Sequence, residues 1–225
     1  MAETDTLTTS HSVALVHQFD DPQQQRQAGE LGMWVFLATE VLFFGGLFAA
    51  YTVYRLAYPD VFAAASNELD VRLGFVNTLV LICSSFTMAT AVYNAQKGNR
   101  KFLIVFLCGT VILGLVFLGI KAVEYAQKFE HHLVPGLHFR MEGADQSKAQ
   151  LFFSLYFAMT GLHALHMIIG AGMIFVLILM ARKGRFSTQY HTPVEVGGLY
   201  WHFVDIIWIF LFPLLYLLGR STAGH

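Results

Sequence analysis

The sequence predicts an all-α fold: a bundle of five transmembrane helices with no separate soluble domain. Three observations predict it. Hydrophobic residues make up 56% of the chain and charged residues only 13%, about half the charge of an ordinary soluble protein. Mean hydropathy is positive, at +0.54. Five stretches, at about 31–54, 72–95, 102–124, 150–181 and 197–218, reach the roughly 20 apolar residues that cross a hydrocarbon core of about 30 Å. Each should be helical, because a segment in lipid can satisfy its own backbone only by bonding to itself.

Residues 1–30 read as a polar, mildly acidic N-terminal tail rich in Ser, Thr and Gln, free to order on a partner. It has no basic stretch followed by a short apolar run, so the first span is expected to insert as its own signal. That span runs from near Leu31 to Tyr54 and breaks at Tyr58-Pro59-Asp60, where proline disfavours helix at the residue before it. The second starts near Arg72, carries Asn77, Ser84 and Ser85, and stops before Lys97-Gly98-Asn99-Arg100-Lys101. The third ends with Lys121, Glu124 and Tyr125. A long connection, about 126–149, holds His131-His132, Pro135-Gly136 and His138. The fourth span leads to a basic turn at Arg182, Lys183 and Arg185, and the fifth closes the 31–218 membrane domain, leaving 219–225 as a short tail. Five spans put the termini on opposite sides.

Basic residues suggest which side. The N-terminal side carries Arg26, Lys97, Arg100, Lys101, Arg182, Lys183 and Arg185; the other carries Arg55, Arg72, Lys121, Lys128, Arg140, Lys148 and Arg220. The totals tie, but the first set forms two dense clusters beside helix ends, where the positive-inside rule acts. The expected location is a bacterial inner membrane, with the N-terminus cytoplasmic and the C-terminus outside. A net charge of −1 gives no footprint for nucleic acid. Cys83 and Cys108 each lie inside a span, so neither suggests a disulfide frame or a zinc site.

Polar residues within the spans carry the functional reading. An ionisable group near the bilayer centre costs about 2.5–3.5 kcal/mol on insertion scales, so it marks a functional or packing site. The fifth span holds two, His202 and Asp205, three apart on one helical face and flanked by Trp201, Trp208 and Ile209. In the first span Glu40 has Phe36, Leu37, Phe43 and Phe44 at three- and four-residue spacing. It is either a proton-handling or partner-binding carboxyl, or a hydrogen-bonded packing residue. The fourth span aligns Tyr156, Thr160, His163, His166 and Gly170. Two His three apart can hold a metal, and with His202 they invite a haem or copper reading. Hydrogen bonding between helices, brought close by Gly161 and Gly170, is the plainer account. Asn77, Ser84, Ser85 and Glu124 read as interhelical polar contacts, while His131, His132 and His138 read as solvated loop residues. Trp34, Tyr200 and Trp201 near span ends suit an interfacial aromatic belt. No phosphate loop, nucleophile elbow or dinucleotide fingerprint is present.

Taken together these motifs resemble one family. Phe152-Phe153, Thr160-Gly161-Leu162-His163-Ala164-Leu165-His166 and Ile169-Gly170 are similar to the corresponding helix of haem–copper oxidase subunit III. Glu195-Val-Gly-Gly-Leu-Tyr-Trp-His-Phe-Val-Asp-Ile-Ile-Trp208 resembles that family's final helix. Glu40-Val-Leu-Phe-Phe44, Val76-Asn77-Thr78 and Glu124-Tyr125 fit in the same order, and the resemblance covers about residues 29–219. It implies a non-catalytic core subunit of a proton-pumping terminal oxidase in aerobic respiration. Such a subunit packs mainly on subunit I, with subunit II in the complex, and supports proton uptake by subunit I. It binds phospholipid in an interhelical cleft, and a respiratory supercomplex is a further setting that the resemblance allows. Haem and copper belong to the partner subunits, so no metal is expected at His163, His166 or His202. Relative to seven-helix members this chain lacks the first two helices, so one cleft wall would come from elsewhere. On this resemblance His163, His166, His202, Asp205, Asn77 and Glu124 are interhelical or lipid-cleft candidates, with Glu40 the carboxyl candidate.

The wording around Glu40 and Tyr200–Asp205 leans towards a cytochrome c oxidase. Quinol-oxidising relatives also have five helices and form the alternative. A proton-coupled transporter using Glu40, Asp205 and the His residues is a third reading. Transporters characteristically show internal repeats and broken helices, and neither is seen here.

Overall fold

A computed structural model describes residues 21–136, 139–141 and 145–217. His138, most of the N-terminal tail and the 219–225 tail lie outside the described residues. The helices are α1 (Pro22–Ala57), α2 (Pro59–Asn67), α3 (Val71–Gln96), α4 (Arg100–Glu130), α5 (Gln146–Arg182) and α6 (Thr192–Phe212). A π-helical turn, Pro213–Leu217, continues α6. Five of these segments are long and apolar enough to cross a membrane.

Three helices, α1, α3 and α5, overrun the apolar stretches at ends capped by a side chain. Asp21 accepts a hydrogen bond from the Gln24 backbone N–H at 2.8 Å, with Pro22 at the first helical position. An N-cap carboxyl satisfies a donor the helix would leave unpaired, so α1 begins at Pro22 rather than near Leu31. Residues 22–30, expected in the tail, are helical. Asp70 and Asp145 cap α3 and α5 in the same way. The break at Pro59 also starts a short helix that the sequence reading omitted. Proline is well placed in the first turn of a helix, and α2 buries Phe62, Ala65 and Ser66.

Contacts at the two ends set the up-and-down order. On the N-terminal side Arg26 and Gln96 both reach Glu195, and the Arg100 guanidinium donates to the Arg182 carbonyl. On the opposite side Ser66 donates to the Leu215 carbonyl at 2.7 Å, and the Lys128 ammonium donates to the Glu68 carbonyl. Helix α6 is buried over most of its length and touches α1, α3 and α5; α1 is buried over little of its length.

Trp201 sits at the centre of the bundle. A Cβ on Gly114 of α4 would lie 2.8 Å from its ring, and one on Gly170 of α5 would lie 3.1 Å from it. Only glycine leaves room for the indole between these helices. The Trp201 Nε1–H then donates to Ser84 Oγ on α3 at 3.0 Å. Trp201 and Tyr200 are therefore core residues and not belt residues, whereas Trp34 is 60% exposed. Gly161 is less constrained than expected, since a Cβ there would meet only the Tyr125 hydroxyl, at an ordinary 3.7 Å.

Candidate functional site

The intramembrane polar residues form separate groups and no single centre. The first joins α1 to α5. Glu40 Oε2 lies 3.1 Å from His166 Nε2, and His166 Nδ1 lies 2.9 Å from the Leu162 carbonyl. A carbonyl only accepts, so Nδ1 carries a proton. Nε2 then either accepts from a carboxylic acid or donates to a carboxylate, and the pair has the same total charge in both forms. Phe44 closes on the imidazole edge-to-face at 5.4 Å, and Tyr200 donates to the His166 carbonyl at 3.0 Å. The helical face read around Glu40 thus meets a partner on another helix.

The second group lies deeper. The Lys121 ammonium donates to Glu124 Oε2 at 3.0 Å, to the Tyr156 hydroxyl at 3.2 Å and to the Tyr216 hydroxyl at 3.0 Å. Both hydroxyls donate in turn to Glu124 Oε1, at 2.7 and 2.5 Å. All three ammonium protons and both carboxylate oxygens are engaged. The rings of Tyr125, Tyr156, Trp208 and Tyr216 surround the ammonium at 5.1–5.7 Å, within cation–π range. A buried ion pair persists only when its remaining hydrogen bonds are satisfied, and here they are.

Sequence reasoning flagged Glu124 but treated Lys121 and Lys128 as charges at the membrane face. The structure buries both, at 3% and 6% exposure. The signal was available: Lys121, Glu124 and Lys128 recur at helical spacing on one face of an apolar span, where two cations beside a carboxylate imply a buried network. Tyr216 had no such signal, because the π-helical turn after Phe212 is what brings its hydroxyl inward.

The remaining candidates divide. His163 is fully enclosed, edge-on to Phe117 at 5.4 Å and tilted on Trp208 at 5.3 Å. Neither of its ring nitrogens has a partner among the described residues, and the same holds for the Asn77 amide. His202 is half-buried and meets Ser85 Oγ through Nδ1 at 2.7 Å. The Asp205 carboxyl is buried and unpartnered among the described residues. His163, His166 and His202 therefore each have different surroundings. No group of three or more His, Cys, Asp or Glu that could hold a metal ion occurs among the described residues. At the N-terminal face Glu195 gathers Arg26 at 3.4 Å, Gln96 at 2.7 Å and His191 at 3.3 Å. This cluster borders a cavity of about 440 Å³ that Trp34 and His202 also line.

Accessibility separates the three membrane carboxyls. Glu40 retains 18% side-chain exposure, Glu124 has none and Asp205 is 3% exposed. A lipid-soluble carbodiimide should therefore modify Glu40 ahead of the other two, as read by peptide mass spectrometry. Glu40→Gln should assemble normally, since the amide still hydrogen-bonds His166. Glu40→Leu should cost about 1–3 kcal/mol by leaving His166 Nε2 unpaired. Failure of the Gln variant to assemble would show that the charge itself is required.

This architecture has known relatives. The family model for cytochrome c oxidase subunit III matches residues 18–220. A cytochrome c oxidase subunit 3 of Thermostichus vulcanus is 35% identical over 210 residues, covering 93% of this chain and 94% of that protein. One from Alkalihalophilus pseudofirmus is 32% identical over 189 residues, 84% of this chain and 86% of the relative. A quinol oxidase subunit 3 of Bacillus subtilis is 32% identical over 190 residues, with the same coverage. With five membrane-spanning helices and a match over nearly its whole length, the chain belongs to the cytochrome c oxidase subunit III family of haem–copper oxidases.

Proposed function

We propose that this chain is the non-catalytic third subunit of an oxygen-reducing, proton-translocating cytochrome c oxidase, stabilising subunit I and supporting its proton uptake. The observation that carries this reading is how the polar residues are spent. Glu40–His166 and Lys121–Glu124–Tyr156–Tyr216 are paired helix to helix within the chain, so they serve as scaffold and leave the redox chemistry to partners. Phospholipid fits the cavity beside Arg26, whose guanidinium can meet a phosphate while Trp34 and Leu199 line an apolar wall. The quinol oxidase relatives favour a second reading, in which the same scaffold serves a quinol-oxidising complex.

The test is affinity purification of the tagged chain from its native membrane. It should bring down subunits I and II with haem and copper, while the isolated chain shows no Soret absorption. Oxidation of cytochrome c or of quinol by that complex decides between the two readings. A Soret band on the isolated chain, or purification without any haem protein, would refute both.

The orientation proposed is N-terminus cytoplasmic. Burial of Lys121 and Lys128 removes two cations from the far side of the original tally, so that seven against seven becomes seven against five. Single cysteines at Asn99 and Lys183, in a variant lacking Cys83 and Cys108, should react only with a membrane-permeant reagent in intact cells. Gly98 and Gly184 are unsuitable positions because both hold positive φ, 71° and 70°. Labelling of both cysteines by an impermeant reagent would invert the topology.

A further inference from the structure

A groove of about 440 Å³ opens sideways between α3 and α6. Its walls are apolar, with Phe86, Ile82, Ile206 and Ile209 among them, and its polar side chains are Ser85, His202 and Asp205. The Asp205 carboxyl is 3% exposed, and neither oxygen has a partner among the described residues. Ser85 is engaged with His202 at 2.7 Å and also lies beside the Asp205 carboxyl. Asp205 lies midway along the Thr192–Leu217 span, which places it near the bilayer midplane, where no bulk water supplies the missing bond.

The environment narrows what can fill the groove. The occupant arrives laterally through lipid, so it is mostly apolar. A phospholipid keeps its glycerol and phosphate at the interface, about 15 Å from the midplane, and its acyl chain brings no donor to this depth. An ammonium would have to carry its own charge to the midplane. A hydroxyl both donates and accepts, so it pairs with Asp205 as carboxylate or as acid. The groove volume is within the range of small-molecule pockets. Its α3 lining from Leu81 to Ala89 runs about 12 Å along the helix, enough for one ring and the start of a tail. Phe86 offers that ring an aromatic contact. We propose that the α3–α6 groove binds an apolar membrane molecule bearing a ring hydroxyl, of the hydroquinone class, with the hydroxyl donating to Asp205 and the ring beside Phe86. This is a binding site, with no electron transfer assigned to it.

The test uses the full chain in phosphatidylcholine nanodiscs, and the purified complex alongside it. The probes are a diazirine-bearing long-chain alkylphenol and its methyl ether, which lacks the donor. The phenol should cross-link segments 81–89 and 202–209 about tenfold more strongly than the ether, the worth of a well-made hydrogen bond. Asp205→Leu should abolish that difference. Ala89→Phe, at an exposed position on the groove, should block both probes without touching the carboxyl, so the result survives misfolding of the Asp205 variant. Excess unlabelled short-chain hydroquinone should compete. Equal labelling by phenol and ether, or competition by diacylglycerol but not hydroquinone, would overturn the proposal. So would labelling of the isolated chain that vanishes in the complex, since a partner helix would then fill the groove.

Discussion

Replacing Lys121 with Met while Glu124 remains should destabilise the bundle by about 3–5 kcal/mol, the cost of stranding one member of a buried ion pair. Glu124 has no exposure, so bulk water does not reach it to replace the ammonium. The two tyrosine hydroxyls would still donate to Glu124 Oε1, but Oε2 would lose its one partner among the described residues. Glu124→Leu should be at least as harmful, because it leaves an ammonium among four rings with only hydroxyl acceptors. Removing the whole network should cost less than either single change. The variant Lys121→Met, Glu124→Leu, Tyr156→Phe, Tyr216→Phe removes both charges of the ion pair and both hydroxyls together, while Lys128 keeps the Glu68 carbonyl, and such apolar replacements are often neutral. Thermal unfolding in one membrane mimetic checks all of these, with the fluorescence of Trp208, which lies against Lys121, as a local probe. Wild-type stability in both single variants, or a fourfold variant worse than either, would show that the network does not hold the bundle together.

That network also marks where sequence reasoning reaches its limit. Five spans were legible because lipid enforces a length and an apolar composition that a hydropathy pattern reports directly. Glu40 and His166 were each legible as costly intramembrane groups, but their pairing was not. It depends on α1 lying against α5, and nothing in the periodicity of either helix specifies a neighbour. The helix ends at Pro22 and Arg100 lie beyond the apolar stretches, since capping by Asp21 and clustering of Arg100 with Arg182 are settled outside the hydrocarbon. Lys121 was misplaced for a related reason. A charge near the end of an apolar run reads as a membrane-face residue unless a buried acceptor is known, and two of its acceptors come from α5 and the turn after α6. Trp201 shows the converse error, because near a span end an aromatic reads as belt until Gly114 and Gly170 are seen to make room for it.

Oxidase purified without this chain should contain the same haem per complex and begin turnover at nearly the wild-type rate, yet lose activity progressively as it works. Retained haem follows from the proposed division of labour, in which this chain supplies contacts and no ligand. A scaffold of paired polar groups inside the bundle, with large apolar faces left on α1 and α4, is suited to covering a partner's helices and holding lipid against them. Its removal would leave the first oxygen reduction possible while slowing the proton supply for each later one. Reactive oxygen intermediates would then persist longer at the partner's centre, and oxidative damage to nearby side chains would accumulate with turnovers. The discriminating variable is therefore the number of turnovers and not elapsed time. Depleted complex stored without substrate should keep its activity, while the same complex run to many turnovers should not. Adding back this chain before turnover should restore the lifetime, and adding it afterwards should not. The Lys121→Met chain, weakened as a scaffold, should restore it only partly. A haem deficit in the depleted complex, or loss of activity at equal rates with and without substrate, would move the role from sustaining proton supply to assembling the catalytic subunit.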